Sequence, residues 1–169
     1  GDGVRPVGGL TVVSFVNTGA LNIPAGLLQF DGPFTNSGTV SLSGGTMTLG
    51  VGLDNTTGTI QITGGALNLG GTITRAQLGA FSNTGGQVNL AGTLNNASAT
   101  LALDDTTGEL RLLTGSQIVG GNLSTAGAAR LNVVGASTLD HRHTSERPSR
   151  PSGRGKPGAG RQHRHARAR

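Results

Sequence analysis

Residues 36–50, "NSGTVSLSGGTMTLG", and residues 56–70, "TTGTIQITGGALNLG", are two versions of one phrase, twenty residues apart. Repetition at that period limits the fold more than any other feature of the chain. A unit of about twenty residues cannot bury its own apolar face and must stack on its neighbours. Glycines that precede an alternating apolar pair mark the units: Gly19, Gly38, Gly58, Gly86, Gly108 and Gly127, at intervals of 19, 20, 28, 22 and 19 residues. The pairs are Leu21/Ile23, Val40/Leu42, Ile60/Ile62, Val88/Leu90, Leu110/Leu112 and, shifted by two residues, Leu131/Val133. A second set follows at Leu28/Phe30, Met47/Leu49 and Leu67/Leu69.

Strict alternation at period two is the mark of a strand with one face buried. "GG" or "PAG" between the two runs supplies a bend, since glycine reaches positive φ without steric cost. Each unit therefore reads as two short strands and two bends, paired with its equivalents ~4.8 Å above and below. The fold class is all-β: a right-handed parallel β-helix of about six coils, with Leu, Ile and Val ladders inside. Thr, Ser, Asn and Gln (Ser41, Thr46, Thr48, Thr59, Gln61, Asn68, Asn89) face outward. On this register Leu42, Ile62 and Leu90 share one inward ladder. "GGTITRAQLGAFSN", inside the 28-residue interval, reads as an extra strand at Ile73 followed by a loop or partial coil.

Composition agrees with thin layers of aliphatic side chains. The 169 residues include 31 glycines and four phenylalanines, with no tryptophan, tyrosine or cysteine. No disulfide and no thiolate metal site can form. No apolar run approaches the ~20 residues of a membrane-spanning helix. The chain starts at Gly1 without an initiator methionine or a signal peptide, and reads as a fragment of something longer.

Charge divides the chain. Residues 1–140 carry four arginines against seven acids, a net of −3, whereas residues 141–169 carry nine basic residues against one acid, a net of +8. All four histidines lie in the second stretch. The organisation is a lead-in strand or partial coil over 1–14, a β-helix over 15–140 and a disordered basic tail over 141–169. The tail lacks larger aliphatics and cannot build a core. Three origins compete for it. A shift of one base through the codons of residues 141–145 permits Thr-Val-Thr-Leu, the alternation that a rung needs, so a frame artefact leads. A genuine solvated tail and an arm for anionic surfaces are the alternatives.

Rungs written N-[ST]-G-x-[VLI]-x-[LI] and GG-x-[LM]-x-L resemble the repeats of large bacterial exoproteins. "NTGALNI", "NTGGQVNLAGTLNN", "ATLALDDTTGEL" and "GSQIVGGNLS" extend the pattern from about Phe15 to Asp140. The family is that of filamentous-haemagglutinin-like and autotransporter-passenger β-helices. The resemblance implies a cell-surface or secreted filament, often adhesive, with no catalytic residue. It places the protein outside the cell or at the bacterial surface, associated with the outer membrane. Its partners would be host or surface glycans or proteins, together with flanking coils of the same large protein.

Chemistry is sparse. Asp31, Asp54, Asp104, Asp105 and Glu109 are the carboxylates to weigh for acid–base work, which needs two of them in one cleft. Asp54 and Asp104 each stand four residues before an anchor glycine, where an aspartate commonly bonds its own turn. Residues 1–140 hold no lysine and no histidine, and the sequence implies no cofactor, no metal and no specific nucleic acid. Candidate surface-binding residues are Arg111 and Arg130, with Thr46 and Thr48. Thr46/Thr48 and Thr72/Thr74 fit the outward rank of an ice-binding face, which Asn68, Asn95 and Ala102 interrupt.

The function read from these residues is that of a non-enzymatic β-helix fragment, an adhesin stalk or spacer. A polysaccharide-acting β-helix enzyme with its catalytic coils elsewhere is the alternative, and an ice-binding module the third. Self-association is expected through the ends, at the last rung (Leu131 to Val134) and at the uncharged "LTVVSFVNTG" near the start.

Overall fold

The structure, a computed structural model, describes residues 14–140. The lead-in expected over 1–14 lies outside this range but for Ser14, and so does the tail expected over 141–169. Between them the chain winds into a parallel β-solenoid of about six coils, each with three strand segments rather than two. Coil one holds β1 (Phe15–Asn17), β2 (Ala20–Ile23) and β3 (Leu27–Phe30). Coil two holds β4 (Phe34–Asn36) and β5 (Thr39–Leu49), and coil three β6 (Leu53–Asp54) and β7 (Thr59–Leu69). In β5 and β7 two arms run on through a bend. Coil four has β8 (Thr72–Thr74), a helical turn α1 (Arg75–Leu78), β9 (Ala80–Asn83) and β10 (Gln87–Leu90). Coil five has β11 (Thr93–Asn95), β12 (Thr100–Leu103) and β13 (Glu109–Leu112). Coil six has β14 (Gln117–Val119), β15 (Asn122–Thr125) and β16 (Arg130–Val133), and β17 (Thr138–Asp140) opens a further turn.

Every ladder is parallel, so like stacks on like. Phe30, Leu49, Leu69, Leu90, Leu112 and Val133 form one inward column, rung upon rung. Leu49, Leu69, Leu90 and Leu112 are each at most 2% exposed. Burying such a side chain contributes ~1.5–3 kcal/mol, against almost nothing for an outward glutamine, and that difference sets the register.

The register corrects one sequence-based ladder. Ile62 and Leu90 do not share a column. Ile23, Leu42 and Ile62 stack in the first arm, and the next member is Asn83. Gly86 precedes the second arm of its coil, whereas Gly58 precedes the first. The 28-residue interval is thus one coil plus a step from one arm to the next. Both arms carry the same alternation, so glycine spacing cannot tell them apart.

At the bend inside β7, Gly65 has φ +76°, and a Cβ there would collide with the Gly45 carbonyl oxygen of the coil below. Only glycine allows that stacking. Ile73 is a strand residue, 1% exposed, as expected, and the loop foreseen after it is α1. Thr74 Oγ1 accepts from Gln77 N at 3.2 Å and Gln77 Oε1 accepts from Thr74 N at 2.9 Å, a reciprocal cap. The turn sits over β6, where Asn55 N donates to the Gln77 carbonyl at 2.8 Å.

Two other groups hold the interior. Phe15, Phe30 and Phe34 cluster in the first two coils, with ring centroids 4.8–5.6 Å apart. Beside them runs a buried polar column. Asn17 Nδ2 donates to Asn36 Oδ1 at 2.8 Å, and Asn36 Nδ2 to Asn55 Oδ1 at 2.7 Å. Asn55 Nδ2 closes the column on the Leu78 and Ala80 carbonyls, at 3.1 and 3.0 Å. The N-[ST]-G phrase is therefore a corner. Its asparagine turns inward and accepts from the glycine two residues on, as Gly38 N does to Asn36 Oδ1 at 3.3 Å.

Candidate functional site

The outward face of the second arms carries the residues singled out from sequence. Two columns run along it. One holds Gln29, Thr48, Asn68, Asn89, Arg111 and Asn132. The other begins Leu27, Thr46, Ala66 and Gln87, and Glu109 and Arg130 pair at its far end. Thr48 and Arg111 thus share a column three rungs apart, roughly 14 Å at the spacing of parallel strands. Thr46 and Arg130 lie in the other, at opposite ends. The four candidates occupy one stripe but do not converge on one spot.

What converges is the group around Arg111. Its Nη1 donates to Gln87 Oε1 at 2.7 Å, and its Nε lies 3.7 Å from Glu109 Oε1. Asn132 Nδ2 donates to the same Glu109 oxygen at 2.9 Å. Gly86, Gln87, Glu109, Arg111 and Asn132 line a shallow, polar depression. The Arg111–Glu109 pair is more than a quarter exposed on both sides and adds little stability; it orients the guanidinium. Further along, Asn68 Nδ2 donates to Thr48 Oγ1 at 3.0 Å and Asn89 Nδ2 to Asn68 Oδ1 at 2.8 Å. Asn89 has an outward register, yet it is 8% exposed, because Asn68 and Arg111 flank it on successive rungs.

The carboxylates do not form a pair. Asp54 lies on β6 in coil three, before a first arm; Asp104 follows β12 in coil five, before a second arm. The shared position inferred from anchor glycines dissolves with the register. Each aspartate serves its own turn. Asp54 Oδ1 accepts from Thr56 N at 3.1 Å and from the Thr56 hydroxyl. Asp104 Oδ1 accepts from Thr106 N at 2.9 Å, Thr106 Oγ1 at 2.6 Å and Thr107 N at 3.1 Å. The threonine hydroxyls first, and then the backbone N–H groups, hold both carboxyls below the ordinary aspartate value of 3.8. Asp105 Oδ1 accepts from Ala128 N at 2.6 Å and pins the loop of the next coil.

Among the described residues no group of three His, Cys, Asp or Glu is placed to hold a metal ion. No helix among them is long and apolar enough to cross a membrane. Thr46/Thr48 and Thr72/Thr74 belong to different sheets, so they do not make one rank; Thr46 stacks between Leu27 and Ala66.

Sequence reasoning passed over Gln87 and Asn132, and weighed Glu109 only as a carboxylate for acid–base work. Their signal is the alternation itself: Gln87-x-Asn89, Glu109-x-Arg111 and Arg130-x-Asn132 are successive second-arm rungs. Comparison with protein-family models, curated proteins and solved structures finds no match.

Proposed function

We propose that the chain is a non-enzymatic structural segment of a secreted or cell-surface bacterial repeat protein, acting as an adhesin stalk or spacer. The observation that carries this reading is the regular six-coil stacking, in which one inward column runs unbroken from Phe30 to Val133. A solenoid of that kind transmits load along its axis through every rung and repeats one surface at each coil. The repeat phrases that resemble haemagglutinin-like and passenger repeats support the same reading. Partners are glycans or proteins met along the outward stripe, flanking coils of the parent protein, and further copies at the ends.

An antibody raised against the chain tests location directly in the organism that encodes it. Labelling of unpermeabilised cells, or signal in the culture medium, is the expected result. Signal confined to the cytosol of permeabilised cells would remove the stalk reading.

A further inference from the structure

We infer that the stripe over coils four to six binds a carboxylate-bearing glycan, with Arg130 and Arg111 taking the carboxylate and Gln87 and Asn132 the hydroxyls. The inference names a partner class for the adhesive part of the function proposed above, and rests on that part.

Charge distribution points there first. Residues 14–140 carry three arginines (Arg75, Arg111, Arg130) against six acids (Asp31, Asp54, Asp104, Asp105, Glu109, Asp140), a net of −3. Two of the three arginines sit on adjacent rungs of this stripe with one acid, Glu109, between them. The stripe is locally cationic on an otherwise acidic solenoid.

The two guanidinium groups have different states. Arg111 is already held, by Gln87 at 2.7 Å and beside Glu109 at 3.7 Å, so little side-chain freedom remains to be lost on binding. Arg130 is exposed and, among the described residues, its side chain has no hydrogen bond or ion pair. Its planar fork is free to meet a carboxylate in two parallel N–H···O bonds. Both charge and donors are wanted by an acidic ligand.

The rest of the stripe suits a sugar better than a peptide. From coil two onward its side chains are Thr46, Ala66 and Gln87 in one column, and Thr48, Asn68 and Asn89 in the other, before the arginines. They offer amides and hydroxyls at each rung, ~4.8 Å apart, and no pocket for an apolar anchor.

The basic stretch over 141–169 attracts any polyanion, so the readout must be resolved by residue. The full chain, labelled with nitrogen-15, is titrated with a short oligogalacturonate at physiological salt and followed by NMR. Shifts are expected at the Arg130 and Arg111 Nε–H and at the Gln87 and Asn132 side-chain amides. Arg130→Gln should weaken the affinity fitted from these signals about tenfold, the size of one charge-assisted hydrogen bond. Asn132→Ala should weaken it severalfold, and Arg75→Gln, which removes the same charge elsewhere, should change it less than about twofold. Shifts confined to residues 141–169 would overturn the inference. So would stripe shifts that survive Arg130→Gln, equal loss in Arg75→Gln, or equal shifts with an oligoglutamate of matched charge. None of these outcomes touches the cell-surface labelling that tests the stalk.

Discussion

Asn36 donates through Nδ2 to Asn55 Oδ1 at 2.7 Å, with Asn36 1% exposed and Asn55 fully buried. The bond has a direction, because Asn17, Asn36 and Asn55 each donate towards the next coil, and Asn36 and Asn55 accept from the one before. It runs beside the phenylalanine cluster, in surroundings where an unpaired amide costs most. Coil-to-coil register at this corner is therefore fixed by polar groups as well as by aliphatic columns.

Asn36→Ala should destabilise the solenoid by about 2–4 kcal/mol, since it strips a donor from Asn55 Oδ1 and an acceptor from Asn17 Nδ2 at once. Urea melts of the two proteins measure the difference. A loss below ~0.5 kcal/mol would mean that water takes the place of the amide and the column carries no weight.

Columns predict couplings. Leu69→Val and Leu90→Val touch the same stack and should be non-additive by at least ~0.5 kcal/mol, whereas Ile62→Val and Leu90→Val should add. Within β7, Ile62→Asp should cost several kcal/mol by burying a charge, and Gln61→Lys, on an exposed position, almost nothing. Equal damage from Ile62→Asp and Gln61→Lys would reject the register.

The sequence shows the aliphatic columns plainly, because Leu, Ile and Val at period two leave few alternatives. It hides the third strand of each coil. β1 and β4 are only three residues long, too short for alternation to declare itself, and each ends in an asparagine that looks like a surface residue. Their burial depends on the neighbouring coil supplying a matching amide, which a single unit does not reveal. The slip at Gly86 has a similar origin, since two arms with one pattern can be told apart only by what lies above and below. The stripe around Arg111 is hidden for the same reason: Thr46, Thr48, Arg111 and Arg130 are legible as outward, but their shared face, with Gln87, Glu109 and Asn132, emerges only in the stacked register.

The turn aspartates give the protein an acid-sensitive component. Asp54 and Asp104 have lowered pKa values in the fold, chiefly through the Thr56 and Thr106 hydroxyls. They stay ionised in the native state at pH values where the unfolded chain already binds protons. Their contribution is therefore present above the ordinary carboxylate range and is lost as pH falls below about 3.8 through their native values. Thermal melts of the protein and of Asp54→Ala/Asp104→Ala should differ at neutral pH and draw together below about pH 4. A gap that stays constant down to pH 2 would show that the carboxylate charge is irrelevant to these turns.

The last rungs predict how the molecules meet one another. Leu123, Val133 and Leu139 are 36%, 54% and 49% exposed, although they stack in register on Leu101, Leu112 and Ile118, which are at most 4% exposed. Apolar columns that surface at the last described strands attract another chain. Charge opposes this, because residues 14–140 carry a net of −3 and like-charged solenoids repel. Salt screens that repulsion and leaves apolar contact intact, so end-to-end association should strengthen as ionic strength rises. Sedimentation velocity on the full chain from about 1 to 100 µM, at low and high salt, reads both effects, with association expected in the micromolar range. Val133→Lys/Leu139→Lys, which places charge on two of the exposed columns, should remain monomeric throughout. A wild-type chain that is monomeric at every concentration and salt would show that these ends are not sites of self-association. Association undiminished by the two lysines would place the contact elsewhere on the solenoid.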